Sequence, residues 1–247
     1  MIPKIVHYCW FGKGPKNEQA IKCIESWKKH LPDYEIKEWN EDNFDVNMYP
    51  YAKEAFENRK FAFVTDVVRL YALYTEGGVY MDTDVEVLKT YDPFLHHHMF
   101  SGFETDGNVP TGMMAAEKGS IWAKELLDQY LDRHFVQEDG SFDLTTNTTV
   151  ITNYMLKKGL VLNNTLQDFP GLCTMYPWEY FCPKDHRTGV IKSTKNTVCI
   201  HHFSGSWLPH KFWSDLRHNL KFKLVNILGE KFASRLTDIL TLRAFKK

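Results

Sequence analysis

Cysteine is scarce and unpaired in this sequence. Its 247 residues include five (Cys9, Cys23, Cys173, Cys182, Cys199), an odd number with no C-x-x-C spacing. That excludes a disulfide framework and a zinc ribbon as the source of stability, and it favours a reducing, cytoplasmic location. No run of 18 apolar residues occurs, so no membrane-spanning helix is expected. The opening Met-Ile-Pro-Lys-Ile-Val-His-Tyr is too short and polar to read as a secretory signal. An excess of positive charge is missing too: 30 Lys+Arg stand against 31 Asp+Glu. A whole-chain basic field for nucleic acid is thereby excluded. Repeats and low-complexity tracts are also absent.

What is present is an ordinary globular composition, 43% hydrophobic and 25% charged, enriched in aromatics at 15%. A chain of this length fits one large domain and buries roughly 70–75% of its unfolded surface without a staple. The near-neutral total hides a segregation. Residues 209–247 hold nine Lys/Arg against three Asp/Glu, net +6, and the rest holds 21 against 28, net −7. Within the tail, residues 212–245 interleave apolar positions with Lys and Arg, the pattern of a basic amphipathic helix. Its apolar face either packs on the acidic body or lies on an anionic membrane surface. A boundary is expected at Leu208-Pro209, giving a body of 1–208 and a helical tail of 209–247.

The periodicities predict an α/β order. Ile2–Trp10 reads as a buried strand, 17–30 as a helix and Tyr34–Trp39 as an alternating strand. This βαβ opening predicts parallel pairing. Residues 50–76 read as helical, closed by Gly77-Gly78. Val79–Met81 is a short apolar strand, and Val85–Leu88 alternates again. Residues 96–116 read as short strands and turns, 119–134 and 147–158 as helices, 163–190 as aromatic loops, and Thr197–His201 as a strand.

Four groups of residues carry candidate chemistry. Asp82 and Asp84, spaced i, i+2 at the tip of an apolar strand, project to one side and can jointly hold Mg²⁺ or Mn²⁺. Asp66 and Arg69, spaced i, i+3, share a helical face inside the otherwise apolar Phe61–Tyr74, where charge is costly without a partner or a role. His201 and His202 end a strand and face opposite ways, so one of them at most completes a metal site. Trp10 stands at a strand's carboxyl end beside a Gly loop, placed to stack on a base or to fill the core. His96-His97-His98 lacks a partner pattern and reads as a surface turn.

Taken together, Ile2–Gly12, Ala62-Phe63-Val64-Thr65-Asp66-Val67-Val68-Arg69, Gly77-Gly78-Val79-Tyr80-Met81-Asp82-Thr83-Asp84 and His201-His202-x-x-Gly205-Ser206-Trp207 resemble glycosyltransferase family 32. That family includes bacterial capsular and lipopolysaccharide sugar transferases and yeast-type initiating mannosyltransferases, with clostridial toxin domains as distant relatives. The resemblance implies a GT-A type, Rossmann-like α/β fold with a mixed central sheet and C-terminal helices. It also implies a nucleotide-sugar donor, expected to be a UDP-sugar, and retention of anomeric configuration. Carried over by residue, Asp84 would bind Mn²⁺ or Mg²⁺, and Asp82 would contact ribose and metal. Asp66 and Arg69 would hold the donor sugar, with Arg69 near the diphosphate. Trp10 would stack on the base, His201 or His202 would be the distal metal ligand, and Ser206 and Trp207 would contact the diphosphate.

No carboxylate stands out as a nucleophile, so same-face attack by the acceptor is expected. The expected acceptor is a growing surface glycan or lipid-linked oligosaccharide at the inner face of the cytoplasmic membrane, with peripheral contact through residues 212–247. A protein-modifying glycosyltransferase and a non-catalytic nucleotide-sugar binder are the competing readings. The four acids and bases at 66, 69, 82 and 84 argue against the second.

Overall fold

Alternation of apolar side chains along each strand builds a sheet with two covered faces. The computed structural model describes residues 1–105 and 107–205. Strand β1 (Ile5–Cys9) leads into α1 (Glu18–His30), whose N-terminus is capped by Asn17 accepting from the Ala20 amide at 2.8 Å. Strand β2 (Glu35–Trp39) follows and pairs parallel with β1. The expected helix over 50–76 is two helices, α2 (Pro50–Glu57) and α3 (Phe61–Thr75). The break falls at Arg59, which adopts φ 56°. A left-handed arginine carries no Gly or Pro signal, so periodicity ran straight through it.

The chain continues through β3 (Gly78–Met81), β4 (Val85–Val87), β5 (Met99–Gly102) and β6 (Met113–Ala116). Helix α4 covers Ile121–Asp128, shorter than the expected 119–134, and α5 covers Asn147–Lys157. The stretch 163–190, expected as loops, holds β7 (Gln167–Phe169), β8 (Cys173–Tyr176) and the short α6 (Trp178–Phe181). Strands of three or four residues punctuated by Pro170 and Pro177 are too short to show a period. Strand β9 (Cys199–His201) ends the described chain's regular structure. The expected C-terminal helices, and the boundary at Leu208-Pro209, lie outside the described residues.

The central sheet has seven strands in the order β2-β1-β3-β6-β5-β8-β7. Pairs β1·β2, β1·β3 and β5·β8 are parallel, while β6 and β7 run against their neighbours. The α/β architecture with a mixed sheet is the one the sequence predicts. Tyr80, Met114 and Ala116 face the layer of α2 to α5, whereas Val79, Met81, Met113 and Ala115 face α1, α6 and the β4·β9 pair. Burying each large apolar side chain is worth roughly 1.5–3 kcal/mol. Gly78 has φ +118° and lies so close to β1 that a Cβ would sit 2.5 Å from the Ile5 carbonyl. The Gly77-Gly78 pair thus stops α3 and lets β3 dock in the middle of the sheet.

Candidate active site

Strands β1, β2, β3, β5 and β8 all point the same way, so their carboxyl ends share one edge of the sheet. Ligands of α/β sheets bind at such edges. Asp82 follows β3 directly. Its amide donates to the Gly112 carbonyl at 2.8 Å, and its carbonyl accepts from the Val85 amide at 3.0 Å. The two acids therefore sit in a tight turn between β3 and β4 rather than on an extended strand. Strand β9 pairs antiparallel with β4, and the His202 amide extends the ladder to the Asp84 carbonyl at 3.0 Å. Alternation then separates the two histidines. His201 turns its Nε2 to Asp84 Oδ1 at 3.2 Å and Asp82 Oδ2 at 3.9 Å. His202 turns away and pairs with Glu86 at 2.9 Å.

Each aspartate has one oxygen tied back and one offered. Asp84 Oδ2 accepts from the Ser204 amide at 2.7 Å and the Ser204 hydroxyl at 2.9 Å. Asp82 Oδ1 accepts from the Tyr80 hydroxyl at 2.8 Å and faces Arg69 Nη2 at 3.4 Å. The offered set is Asp82 Oδ2, Asp84 Oδ1 and His201 Nε2, and the ligating atoms of these three residues lie within 4.8 Å of one another. Two carboxylates and an imidazole fit a divalent cation such as Mn²⁺ or Mg²⁺.

Arg69 and Asp66 stand beside this cluster on α3, both buried. Arg69 Nη1 donates to the Thr111 carbonyl at 2.8 Å, Nε to the Thr65 carbonyl at 3.1 Å, and Nη2 to the Thr65 hydroxyl at 3.1 Å. Nη2 also pairs with Asp66 Oδ1 at 3.3 Å, and the guanidinium lies over the Tyr80 ring. Thr65 and Thr111 thus fix the guanidinium so that its Nη2 faces both Asp66 and Asp82.

The electrostatics follow from burial. Burial pushes the Asp66 carboxyl up to about 7, with Asp82 adding to the rise and Arg69 opposing it. Burial would likewise raise Asp84, but His201 and the Ser204 donors outweigh it and hold the group well below the usual carboxylate range. His201 is destabilised as a cation by burial, yet Asp84, Asp82 and Glu104 together raise it to about 9. The cation-free cluster is therefore an imidazolium held among carboxylates, a charge that an incoming metal would replace.

Trp10 lies at the carboxyl end of β1, half-buried, its indole N–H donating to the Gly14 carbonyl at 2.7 Å. Lys16 sits over its ring at 5.6 Å. The structure brings Asp66, Arg69, Asp82, Asp84 and His201 into one network and leaves His202 outside it. Ser206 and Trp207 lie outside the described residues.

Several residues of this edge went unread in the sequence. Ser204, which clamps Asp84, is part of the His-His-Phe-Ser-Gly-Ser-Trp segment and carried a signal. Thr111 and Gly112 hold Arg69 and Asp82 through carbonyls, and backbone acceptors leave no trace in residue type. A Cβ at Gly112 would lie 2.6 Å from His201 Nδ1, so glycine there is what lets the ring in. Lys184 donates to the His202 carbonyl at 2.6 Å. Burial lowers its ammonium and the Asp84 charge works against that.

Residues 17–101 match a family described as a glycosyltransferase sugar-binding region containing a DXD motif. Inositol phosphoceramide mannosyltransferase 3 of Schizosaccharomyces pombe is 30% identical over 125 residues, 48% of this chain and 34% of that protein. Inositol phosphoceramide mannosyltransferase 2 of the same yeast is 32% identical over 129 residues, 49% of this chain and 35% of that protein. The match thus spans about a third of the length of these curated relatives. Among solved structures, the PaToxG glycosyltransferase overlaps with TM-score 0.49 at 18% identity, covering 64% of this chain and 70% of that one. The galactosyltransferase LgtC overlaps with TM-score 0.44 at 14% identity, covering 92% and 96%. The DXD acids Asp82 and Asp84 lie inside the matched region, and it is there that the chain is similar to these glycosyltransferases.

Proposed function

We propose that this chain is a divalent-metal-dependent, retaining glycosyltransferase that moves a hexose from a nucleoside-diphosphate sugar to a hydroxyl of a glycan or lipid-linked acceptor. The observation that carries the reading is the convergence of Asp82 Oδ2, Asp84 Oδ1 and His201 Nε2 at the carboxyl edge of the sheet. Mn²⁺ or Mg²⁺ held there would supply Lewis-acid stabilisation of the departing diphosphate.

The chain's own residues do the rest. Ser204 fixes Asp84 so that one oxygen stays presented, and Arg69 with Tyr80 fixes Asp82 likewise. Such bracing removes reorganisation at the moment of reaction, the source of most electrostatic catalysis. Asp66, anchored by Arg69, is placed to accept a hydroxyl of the donor sugar. Lys184, which donates to the His202 carbonyl beside Asp84, suits the diphosphate oxygens. Trp10 offers a ring for the base, with uracil as the first candidate, and Ser206 and Trp207 extend the diphosphate contacts. Burial draws Asp66 toward its neutral form, which makes it a weak nucleophile. Same-face attack by the acceptor, with its proton passing to the leaving diphosphate, is the route we propose. A sugar trapped covalently on a side chain in rapid-quench mass spectrometry would rule this route out.

The names of the yeast relatives favour a second substrate reading: a mannosyl donor and an acceptor hydroxyl on a phosphoinositol lipid headgroup. Either acceptor suits work at the cytoplasmic face of a membrane by a body of residues 1–208, with 209–247 as its basic contact. The experiment is a panel of UDP- and GDP-sugars with Mn²⁺, with and without glycan or phosphoinositol-lipid acceptors. Hydrolysis or transfer of at least one donor, abolished by EDTA, is expected. A folded protein inert toward every donor would reject the proposal.

A further inference from the structure

A second cluster of metal-ligating side chains shares His201 with the acidic one. Glu104 lies just past the end of β5, Cys182 caps the C-terminus of α6, and both are buried, at 8% and 1% exposure. Their ligating atoms and one ring nitrogen of His201 lie within 4.8 Å of one another. Ligands about 2.0–2.3 Å from a tetrahedral Zn²⁺ stand roughly 3.3–3.8 Å apart, so closing this set needs shifts of about an ångström. The three residues come from three separate elements and meet at the carboxyl edge. His201 supplies a further observation: its Nδ1 is buried and has no hydrogen-bond partner among the described residues.

The two clusters differ in softness. Asp82 and Asp84 give an oxygen-rich site suited to Mn²⁺ or Mg²⁺, whereas a thiolate, an imidazole and a carboxylate select Zn²⁺. We propose that Glu104, Cys182 and His201 form an inhibitory site for Zn²⁺. Its occupant claims the imidazole that the Asp82–Asp84 site needs, and two dications sharing one ring repel each other. Zn²⁺ bound here therefore opposes the hard cation. The inhibitory consequence rests on the proposed function; the binding does not.

The test uses the whole chain, stripped of metal and titrated with Zn²⁺ against a chromophoric competitor, and separately loaded with Co²⁺. Wild type should bind one equivalent of Zn²⁺ through this site, and its Co²⁺ form should show a thiolate-to-cobalt charge-transfer band. Cys182→Ser should weaken Zn²⁺ binding roughly tenfold or more and abolish the band. Asp82→Asn should retain both. A band missing from wild type, or equal Zn²⁺ affinity in wild type and Cys182→Ser, would overturn the proposal. Should Cys182→Ser melt early, Glu104→Gln must show the same weakening, and the wild-type band needs no variant at all. In the activity arm, Zn²⁺ should inhibit Mn²⁺-supported donor hydrolysis, with Cys182→Ser at least roughly tenfold less sensitive. If wild type hydrolyses no donor while the band is present, the proposed function fails and the zinc site stands. Hydrolysis that Zn²⁺ inhibits equally in wild type and variant fails the inference alone.

Discussion

At the carboxyl edge of the central sheet, the side chains of Arg69 and Asp66 are 6% and 11% exposed, and those of His201 and Asp84 13% and 12%. At the amino edge, the Lys4–Asp92 pair is 40% and 45% exposed, and His98–Glu117 is 60% and 30%. The chemical types are the same. Exposed pairs gain little and cost little, about 0–1 kcal/mol. Buried ones carry a desolvation penalty of several kcal/mol per ion and persist only where each group is paired and hydrogen-bonded. The carboxyl edge meets that demand with Thr65, Tyr80, Thr111 and Ser204. The amino edge has a cavity of its own, about 190 Å³ beside His96–His98 and Asp168, but His97 there is engaged by Thr174 and Tyr176. A fold that buries charge at one edge and solvates it at the other marks the first as the place where function outweighs stability.

Arg69→Met attacks that contrast most strongly. It strands Asp66 and Asp82 and should destabilise the fold by about 3–5 kcal/mol in urea unfolding. A loss below about 1 kcal/mol would mean the edge is far wetter than its geometry. Asp84→Ala should cut metal-dependent donor hydrolysis by about 10²–10³-fold, the usual cost of removing one preorganised electrostatic group. Gly112→Ala drives a methyl against His201 and should weaken Mn²⁺ binding roughly tenfold, measured by calorimetry, with little change in melting.

A smaller effect concerns pH. The Asp66 carboxyl titrates near 7 in the fold against a reference of 3.8, so protonation favours the folded state. Its contribution is complete below about 3.8 and is lost as pH rises toward about 7. Asp66→Asn should flatten the stability–pH slope in that window, and an unchanged slope would place the carboxyl's titration elsewhere. Lys4→Ala, at the other edge, should cost less than about 1 kcal/mol and leave donor hydrolysis untouched.

Much of the fold was legible because period-2 and period-3.6 patterns are local. The β1–α1–β2 opening, α3 and β3 all announced themselves that way. The break at Arg59 did not, since no sequence rule marks an arginine for the left-handed region. Nor did β7 and β8, whose three or four residues take strand form from their neighbours rather than from their own pattern. At the site, Asp82, Asp84, Asp66 and Arg69 were readable as charge placed against an apolar background.

The choice between His201 and His202 shows where that reading stops. Their adjacency and opposite facing could be read from the sequence, but not which of the two faces the acids. Pairing of β9 with β4 decided it, because register alone sets which side of a strand meets a given turn. The same holds for Thr111, Gly112, Glu104, Cys182 and Lys184, which long-range contacts bring to the edge. By itself the sequence determined the residue types and their local periodicity, hence the α/β elements and the acids at their tips. Tertiary structure decided which groups share a dry volume, because charge burial and hydrogen-bond satisfaction are properties of the assembled sheet and of no single segment.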